Sequence, residues 1–144
     1  MDYFKQFKGR FMGVMQWDDC LALLETLHSN PNDWYLYDTL KTMPNEVMSS
    51  TDFSQKIEQI KIIINTEHDE RYCGIVYTDD LKNPSFIKIF HPKNLGKVCG
   101  GSEHPPMPQW LISKEKPMDI MAEFGEPKKE GFISKYLKFK IIIS

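Results

Sequence analysis

A thiol, a carboxylate and an imidazole lie close together in the segment 96–108, which also carries three glycines and three prolines. In an enzyme, Cys99 would be the nucleophile, and His91 or His104 would take its proton. Glu103 would then orient the base. This pattern favours a thiol-dependent hydrolase or transferase as one hypothesis, although nearness in the sequence does not establish the geometry of a catalytic set.

The longer stretch 91–108 has neither helical nor strand periodicity. Loops longer than about 12–15 residues are uncommon in compact domains unless they are functional or disordered, and the prolines favour an ordered loop. Its glycines allow positive φ and bring backbone amides close to a ligand or an oxyanion. The first hypothesis is therefore a binding module, of a regulatory, adaptor or immunity type, that uses this loop and nearby aromatic residues. The predicted contact residues are Gly96, Gly100, Gly101, Glu103 and Trp110.

A structural zinc site that pins the same loop is the third hypothesis. We expect Tyr77 to pair with Phe86 across a hairpin turn. In that register Cys73 lies opposite Phe90, and His91 follows at the open end of the hairpin. Two thiolates and two imidazoles suit tetrahedral zinc, but successive strand residues face opposite ways and no Cys-x-x-Cys pair is present. The candidate ligands are Cys73, His91, Cys99 and His104.

A further run of potential ligands, Glu67-His68-Asp69-Glu70, follows the second predicted helix. Side chains of adjacent residues at a helix end point in divergent directions, so they do not converge on one ion. We interpret this run as a solvated helix exit.

Composition limits the class of partner. The chain has 144 residues, a formal net charge of −2 and 41% hydrophobic residues, which fits one globular domain over 1–144. A near-neutral chain has no general attraction to nucleic acid, so we expect a protein or small-molecule ligand. The sequence contains no Walker loop and no Rossmann glycine fingerprint, and it indicates no particular cofactor.

The cellular location is predicted from the cysteines and the N-terminal residues. The three cysteines, Cys20, Cys73 and Cys99, are odd in number and irregularly spaced, which indicates reduced thiols rather than a disulfide framework. The first residues lack the apolar stretch of a signal peptide, and no apolar run approaches the roughly 20 residues that span a bilayer. We therefore expect a cytoplasmic protein without membrane association. Cys20 lies on the apolar side of a predicted helix and is expected in the core.

Two amphipathic helices are predicted. The first runs from about Trp17 to the Asn30-Pro31 pair, with apolar residues at steps of three and four. The second begins at Ser50 or Thr51, either of which can cap it. Its predicted buried stripe is Phe53, Ile57, Ile60 and Ile64.

Short strands account for most of the remaining elements, and a helical turn is expected within 118–124. Because short turns join most of these elements, we predict an α+β fold. Its sheet is mostly antiparallel, has about five strands and carries the two main helices on one face. The predicted strands are 33–38, 72–77, 86–90, 110–112 and 135–141, with a short strand or irregular arm within 7–16.

Segments in the middle third of the chain carry a resemblance to other proteins. They are residues 72–77, residues 84–89, Asn94-Leu95-Gly96 and Cys99-Gly100. In these segments the chain resembles a family of small uncharacterised proteobacterial proteins. The resemblance implies no activity, cofactor or site residue.

Overall fold

A computed structural model describes residues 2–93 and 107–124 of the chain. The predicted strand 135–141 and most of the predicted loop 91–108 lie outside these residues. Within them, no helix is long and apolar enough to cross a bilayer. The helices are α1 Tyr3–Phe7, α2 Trp17–Ser29, α3 Ser50–Glu67 and α4 Ile120–Phe124. The strands are β1 Met12–Val14, β2 Tyr35–Asp38, β3 Val76–Thr78, β4 Phe86–Ile89 and β5 Trp110–Ser113.

The five strands form one antiparallel sheet in the order β1-β3-β4-β5-β2. This confirms the predicted α+β class and the antiparallel sheet. One edge is β1, which lies within the N-terminal arm where a short strand was one of the two expectations. The other edge is β2. The strands that precede and follow α2 in the chain, β1 and β2, therefore lie at opposite edges of the sheet.

The register of the β3–β4 hairpin differs from the prediction by two residues. Tyr77 opposes Lys88 rather than Phe86. The cause is the size of the turn, because the Asp79 carboxylate accepts hydrogen bonds from the amides of Ser85 and Phe86 at 2.9 and 3.1 Å. These bonds stabilise a wider turn than simple pairing across Asp79 and Asp80 would produce, so the expected position of Cys73 opposite Phe90 is wrong.

One face of the sheet packs against α2 and α3 and forms the main core. The stripe predicted for the second helix, Phe53, Ile57, Ile60 and Ile64, is buried as expected. Burying side chains of this size contributes about 1.5–3 kcal/mol each relative to exposure. The cap of α3 is Ser49, one residue before the predicted position, and its hydroxyl accepts a hydrogen bond from the Asp52 amide at 3.2 Å.

The opposite face of the sheet is covered by the short helices α1 and α4. A second apolar cluster lies there and contains Tyr3, Phe7, Tyr37, Phe86, Leu111 and Ile120. The half-buried Lys88 of β4 also lies on this face, with its Nζ 4.2 Å from the ring centroid of Phe7 and 4.0 Å from that of Phe11. The sheet is therefore the central layer of three.

Candidate functional site

An open cavity lies beside the connection between α3 and β3, and we call it the α3–β3 cavity. Its volume is about 610 Å³. One wall consists of the connection itself, and Met15 and Pro92 complete the lining. The residues that line it are Met15, Glu67, His68, Asp69, Glu70, Arg71, Tyr72, Cys73, Gly74 and Pro92.

His68 anchors the connection where α3 ends. Its amide donates to the carbonyl oxygen of Ile64 at 3.1 Å, which completes the last turn of the helix. Its Nε2 lies 2.6 Å from the carbonyl oxygen of Cys73, and because a carbonyl oxygen only accepts, Nε2 carries the proton. His68 is only 8% exposed, and its Nδ1 has no hydrogen-bond partner within residues 2–93 and 107–124.

The rest of the connection is fastened to β1 and α2. The Cys73 amide donates to the Met15 carbonyl at 2.7 Å, and the Gly74 amide donates to the Val14 carbonyl at 3.1 Å. The Trp17 indole donates to the Glu70 carbonyl at 3.0 Å. Gly74 has φ +66°, which ends regular pairing and explains why β3 begins at Val76 rather than at the predicted residue 72.

The charge along the cavity wall is mainly negative. Glu67, Asp69 and Glu70 contribute three carboxylates, and Arg71 contributes one guanidinium. The Arg71 guanidinium lies 5.6 Å from the ring centroid of Tyr72, a residue that is 46% exposed. The wall therefore combines an excess of negative charge with an accessible aromatic face.

Glu67 lines the cavity and also contacts the first residues of the predicted 91–108 loop. One of its carboxylate oxygens, Oε1, lies 3.5 Å from Lys93 Nζ and 3.7 Å from His91 Nε2. The His91 ring also stacks on Trp110, with a centroid separation of 5.9 Å and an interplanar angle of 29°. These contacts place the first residues of the loop against the cavity.

Two free thiols meet behind the cavity wall. Cys73 lines the cavity but is only 2% exposed, and Cys20 of α2 is fully buried, as predicted. A hydrogen bond joins the Cys20 and Cys73 side chains, and it holds the pKa of Cys73 below its usual value despite burial. The same bond, together with burial, raises the pKa of Cys20.

The predicted site residues are only partly covered by the structure. Trp110 is 3% exposed in β5, and the half-buried His91 stacks on it, so most of the indole surface faces the protein. The catalytic and binding assignments on the remaining residues stay predictions. The residues outside the described part of the chain are Gly96, Cys99, Gly100, Gly101, Glu103 and His104.

The zinc hypothesis also stays a prediction. Of its four candidate ligands, Cys73 and His91 are described, whereas Cys99 and His104 are not. Across residues 2–93 and 107–124, no group of three or more His, Cys, Asp or Glu side chains is arranged to hold a metal ion.

Sequence reasoning missed the role of His68. The interpretation of 67–70 as a solvated helix exit is correct for the exposed Asp69 and Glu70 but wrong for His68, which is buried. A signal was present in the sequence, because His68 follows Ile64 by four residues and so continues the buried stripe of α3. The contact between Cys20 and Cys73 had no such signal, since it joins segments far apart in the chain.

Comparison with known proteins adds no assignment. No protein-family model, curated protein or solved structure matches the chain. The resemblance to small proteobacterial proteins stays a prediction.

Proposed function

We propose that the protein is a small ligand-binding module and that its binding site is the α3–β3 cavity. The ligand class is a small aliphatic amine, a molecule that joins an ammonium group to an apolar chain. One observation carries the proposal: the buried His68, whose Nδ1 has no hydrogen-bond partner among the described residues, forms part of a cavity wall rich in carboxylates. The proposal retains the predicted binding module and extends its contact surface from the 91–108 loop to the cavity that Pro92 borders.

The charge of the wall supports a cationic ligand. Three carboxylates against one guanidinium leave an excess of negative charge, and Glu67 already attracts Lys93. At about 4 Å an ion pair near a protein surface is worth roughly 1–4 kcal/mol before the cost of removing water is subtracted. The pairing of Lys93 with Glu67 shows the type of interaction that a ligand ammonium would make with the other carboxylates.

His68 supports a ligand that donates a hydrogen bond. Its Nε2–H is engaged by the Cys73 carbonyl, so in the neutral ring Nδ1 is an acceptor. An ammonium N–H satisfies this acceptor, whereas an ionised carboxylate offers no proton to it. Anionic ligands are also opposed by the neighbouring Glu67, Asp69 and Glu70.

The apolar part of the wall supports an aliphatic chain. Met15 is 50% exposed. A Cβ placed on Gly74 would lie 3.8 Å from the Met15 Cε, so the end of the methionine side chain lies beside Gly74 in the cavity wall. Tyr72 and Pro92 complete this side of the cavity. Methionine adapts to ligands of irregular shape, and the face of a tyrosine ring attracts a cation.

Titration with 1,8-diaminooctane, followed by ¹H–¹⁵N NMR of the full chain, tests the proposal. We expect saturable shifts of the backbone amides of Met15 and residues 67–74. The matched control ligand is 1,8-octanediol, which keeps the chain length and the hydrogen-bond donors but has no charge, and we expect it to produce no saturable shift. Equal responses to the two ligands, or diamine shifts spread over remote surfaces, would contradict the proposal.

A pair of variants separates a local site from general charge attraction. Glu70→Gln removes one carboxylate of the cavity wall, and Glu58→Gln removes one from the exposed surface of α3. The affinity for the diamine is expected to fall about two- to fivefold in the first variant only, the size of a partly exposed ion pair. An equal loss in both variants would show that the diamine responds to net charge and not to the cavity.

A further inference from the structure

Among the described residues, the two thiols at the cavity wall, Cys73 and Cys20, take no part in the proposed ligand binding. Cys73 lines the α3–β3 cavity, and Cys20 of α2 belongs to the same buried core cluster. Both thiols are free, and a hydrogen bond joins their side chains. A solvent-connected cavity, a first thiol on its wall and a second thiol in contact with the first are the elements of a dithiol that reacts with an oxidant.

We propose that Cys73 and Cys20 form a hydroperoxide-reactive site in which Cys73 is oxidised by a peroxide that enters the α3–β3 cavity and Cys20 then closes an intramolecular disulfide. This activity is independent of amine binding. It needs the cavity as a route for a small oxidant and does not need the carboxylates of the wall.

The chemistry takes two steps. In the first, the Cys73 thiolate attacks one oxygen of the hydroperoxide ROOH, the O–O bond breaks, and the other oxygen leaves with a proton as ROH. Cys73 then carries a sulfenic acid. In the second, the Cys20 sulfur attacks the Cys73 sulfur, its proton is released, and the hydroxyl leaves as water. Two thiols lose two electrons in total, and the hydroperoxide gains them.

The structure assigns a different role to each thiol. Cys73 is in the cavity lining, whereas Cys20 is fully buried and is not part of that lining, so a peroxide reaches Cys73 first. The hydrogen bonds that the Cys73 sulfur accepts from Cys20 and from the backbone at Ile75 and Val76 favour its thiolate, which is the reactive form. Cys20 keeps its proton until Cys73 has become an electrophile, which makes it the resolving thiol.

Disulfide closure would connect two parts of the fold. Cys20 lies within α2, and Cys73 lies in the α3–β3 connection that forms the cavity wall. The two sulfurs must approach from hydrogen-bond contact to about 2.05 Å. This approach draws Cys73 toward α2 and away from the cavity, so oxidation changes the shape of the wall.

Peptide mapping of the oxidised full chain tests the proposal. The wild-type protein is treated with one equivalent of hydrogen peroxide, alkylated and digested without reduction. We expect a mass loss of about 2 Da and one cross-linked peptide pair, Cys20 with Cys73. Recovery of both residues as alkylated free thiols, or a bond between Cys73 and Cys99 instead, would overturn the proposal.

Variants in a Cys99→Ser background distinguish the two roles. When Cys20→Ala is added, Cys73 is expected to stop at the sulfenic acid, which dimedone traps as an adduct on Cys73. When Cys73→Ala is added instead, Cys20 is expected to stay reduced, because the cavity does not expose it. Trapping of a sulfenic acid on Cys20 would reverse the assignment and overturn it.

The same reaction in urea shows whether the fold matters. The Cys99→Ser chain is oxidised in buffer and in 8 M urea, and the rate of disulfide formation is compared at equal pH. Because the fold holds the sulfurs in contact and favours the Cys73 thiolate, we expect disulfide formation at least about tenfold faster in buffer. Equal or faster formation in urea would show that the fold gives no advantage, and the proposal would fail.

Discussion

The Nε2 of His68 donates a hydrogen bond to the carbonyl oxygen of Cys73 across 2.6 Å. Through this bond and two others, Cys73 joins three elements of the fold. Its carbonyl oxygen is held by the end of α3, its amide donates to Met15 beside β1, and its thiol contacts Cys20 of α2. The wall of the α3–β3 cavity is therefore positioned by backbone and side-chain contacts of one residue.

Replacement of His68 is expected to destabilise the protein. In His68→Ala the buried carbonyl oxygen of Cys73 loses its donor, and an unsatisfied buried acceptor costs about 1–3 kcal/mol. The free energy of unfolding, measured by urea denaturation, should fall by this amount. His28→Ala is the matched control, because His28 lies exposed at the end of α2, and its effect should stay within about 0.5 kcal/mol. Equal losses in the two variants would show that the bond to Cys73 is unimportant.

Replacement of Lys93 is expected to strengthen amine binding. Lys93 is 72% exposed and occupies one carboxylate oxygen of Glu67 at 3.5 Å. In Lys93→Gln that oxygen becomes free for a ligand ammonium, so the affinity for 1,8-diaminooctane should rise about two- to threefold. Lys116→Gln makes the same change of charge at an exposed position outside the cavity lining. An equal rise in both variants, measured by the NMR titration, would attribute the effect to net charge.

Replacement of Asp79 is expected to loosen the β3–β4 turn. Asp79→Ala removes the acceptor for the amides of Ser85 and Phe86 and for the Ser85 hydroxyl. We expect the free energy of unfolding to fall by about 2 kcal/mol and hydrogen exchange of the Phe86 amide to accelerate. The exposed Asp69, changed to Ala, should lower stability by less than about 0.5 kcal/mol. Unchanged exchange at Phe86 would contradict the role given to Asp79 in setting the register.

The stability of the protein is expected to depend on the titration of Lys88. Burial lowers its pKa from 10.5 to about 8. Between these values the unfolded chain holds a proton that the folded chain has released, so the free energy of unfolding rises with pH through this window. Below pH 8 Lys88 is protonated in both states, and it makes no pH-dependent contribution.

The Lys88→Met variant isolates this effect. The difference in free energy of unfolding, wild type minus Lys88→Met, should increase from about pH 8 to about pH 10 in urea denaturation experiments. Lys116→Met serves as the control, since Lys116 is exposed, and its difference from the wild type should stay constant. A difference for Lys88→Met that is flat or falls with pH would contradict the burial of the ammonium group between Phe7 and Phe11.

The helices α2 and α3 and most strands were predictable because the spacing of apolar residues within each segment indicates them, whereas the short helix α1 was not predicted. The stripe of α3 is correct residue by residue, and α2 begins and ends where the sequence indicates. The cap of α3 is wrong by one residue, since Ser49, Ser50 and Thr51 are equally suitable side chains. The strand expected from residue 72 begins at Val76 instead. Gly74 adopts a positive φ, which interrupts regular strand pairing, and the spacing of apolar residues does not reveal that backbone conformation.

The candidate site was predictable only in part. The sequence directed attention to the 91–108 loop, and the described start of that loop, His91 and Pro92, does lie beside the cavity. His68 was recognisable from its spacing to Ile64, but its position among acidic residues suggested exposure. Trp110 was expected to offer a contact surface, yet the central position of β5 in the sheet buries it.

By itself, the sequence determined the α+β class, the two main helices and the apolar stripes that face the core, because these follow from the spacing of apolar residues along one segment. Only the tertiary structure decided that Cys73 contacts Cys20, that His68 binds the Cys73 carbonyl and that a cavity opens beside them. These relationships depend on how α2, α3 and β1 pack together. Packing of distant segments is set by the sum of many weak contacts, and no short stretch of sequence records it.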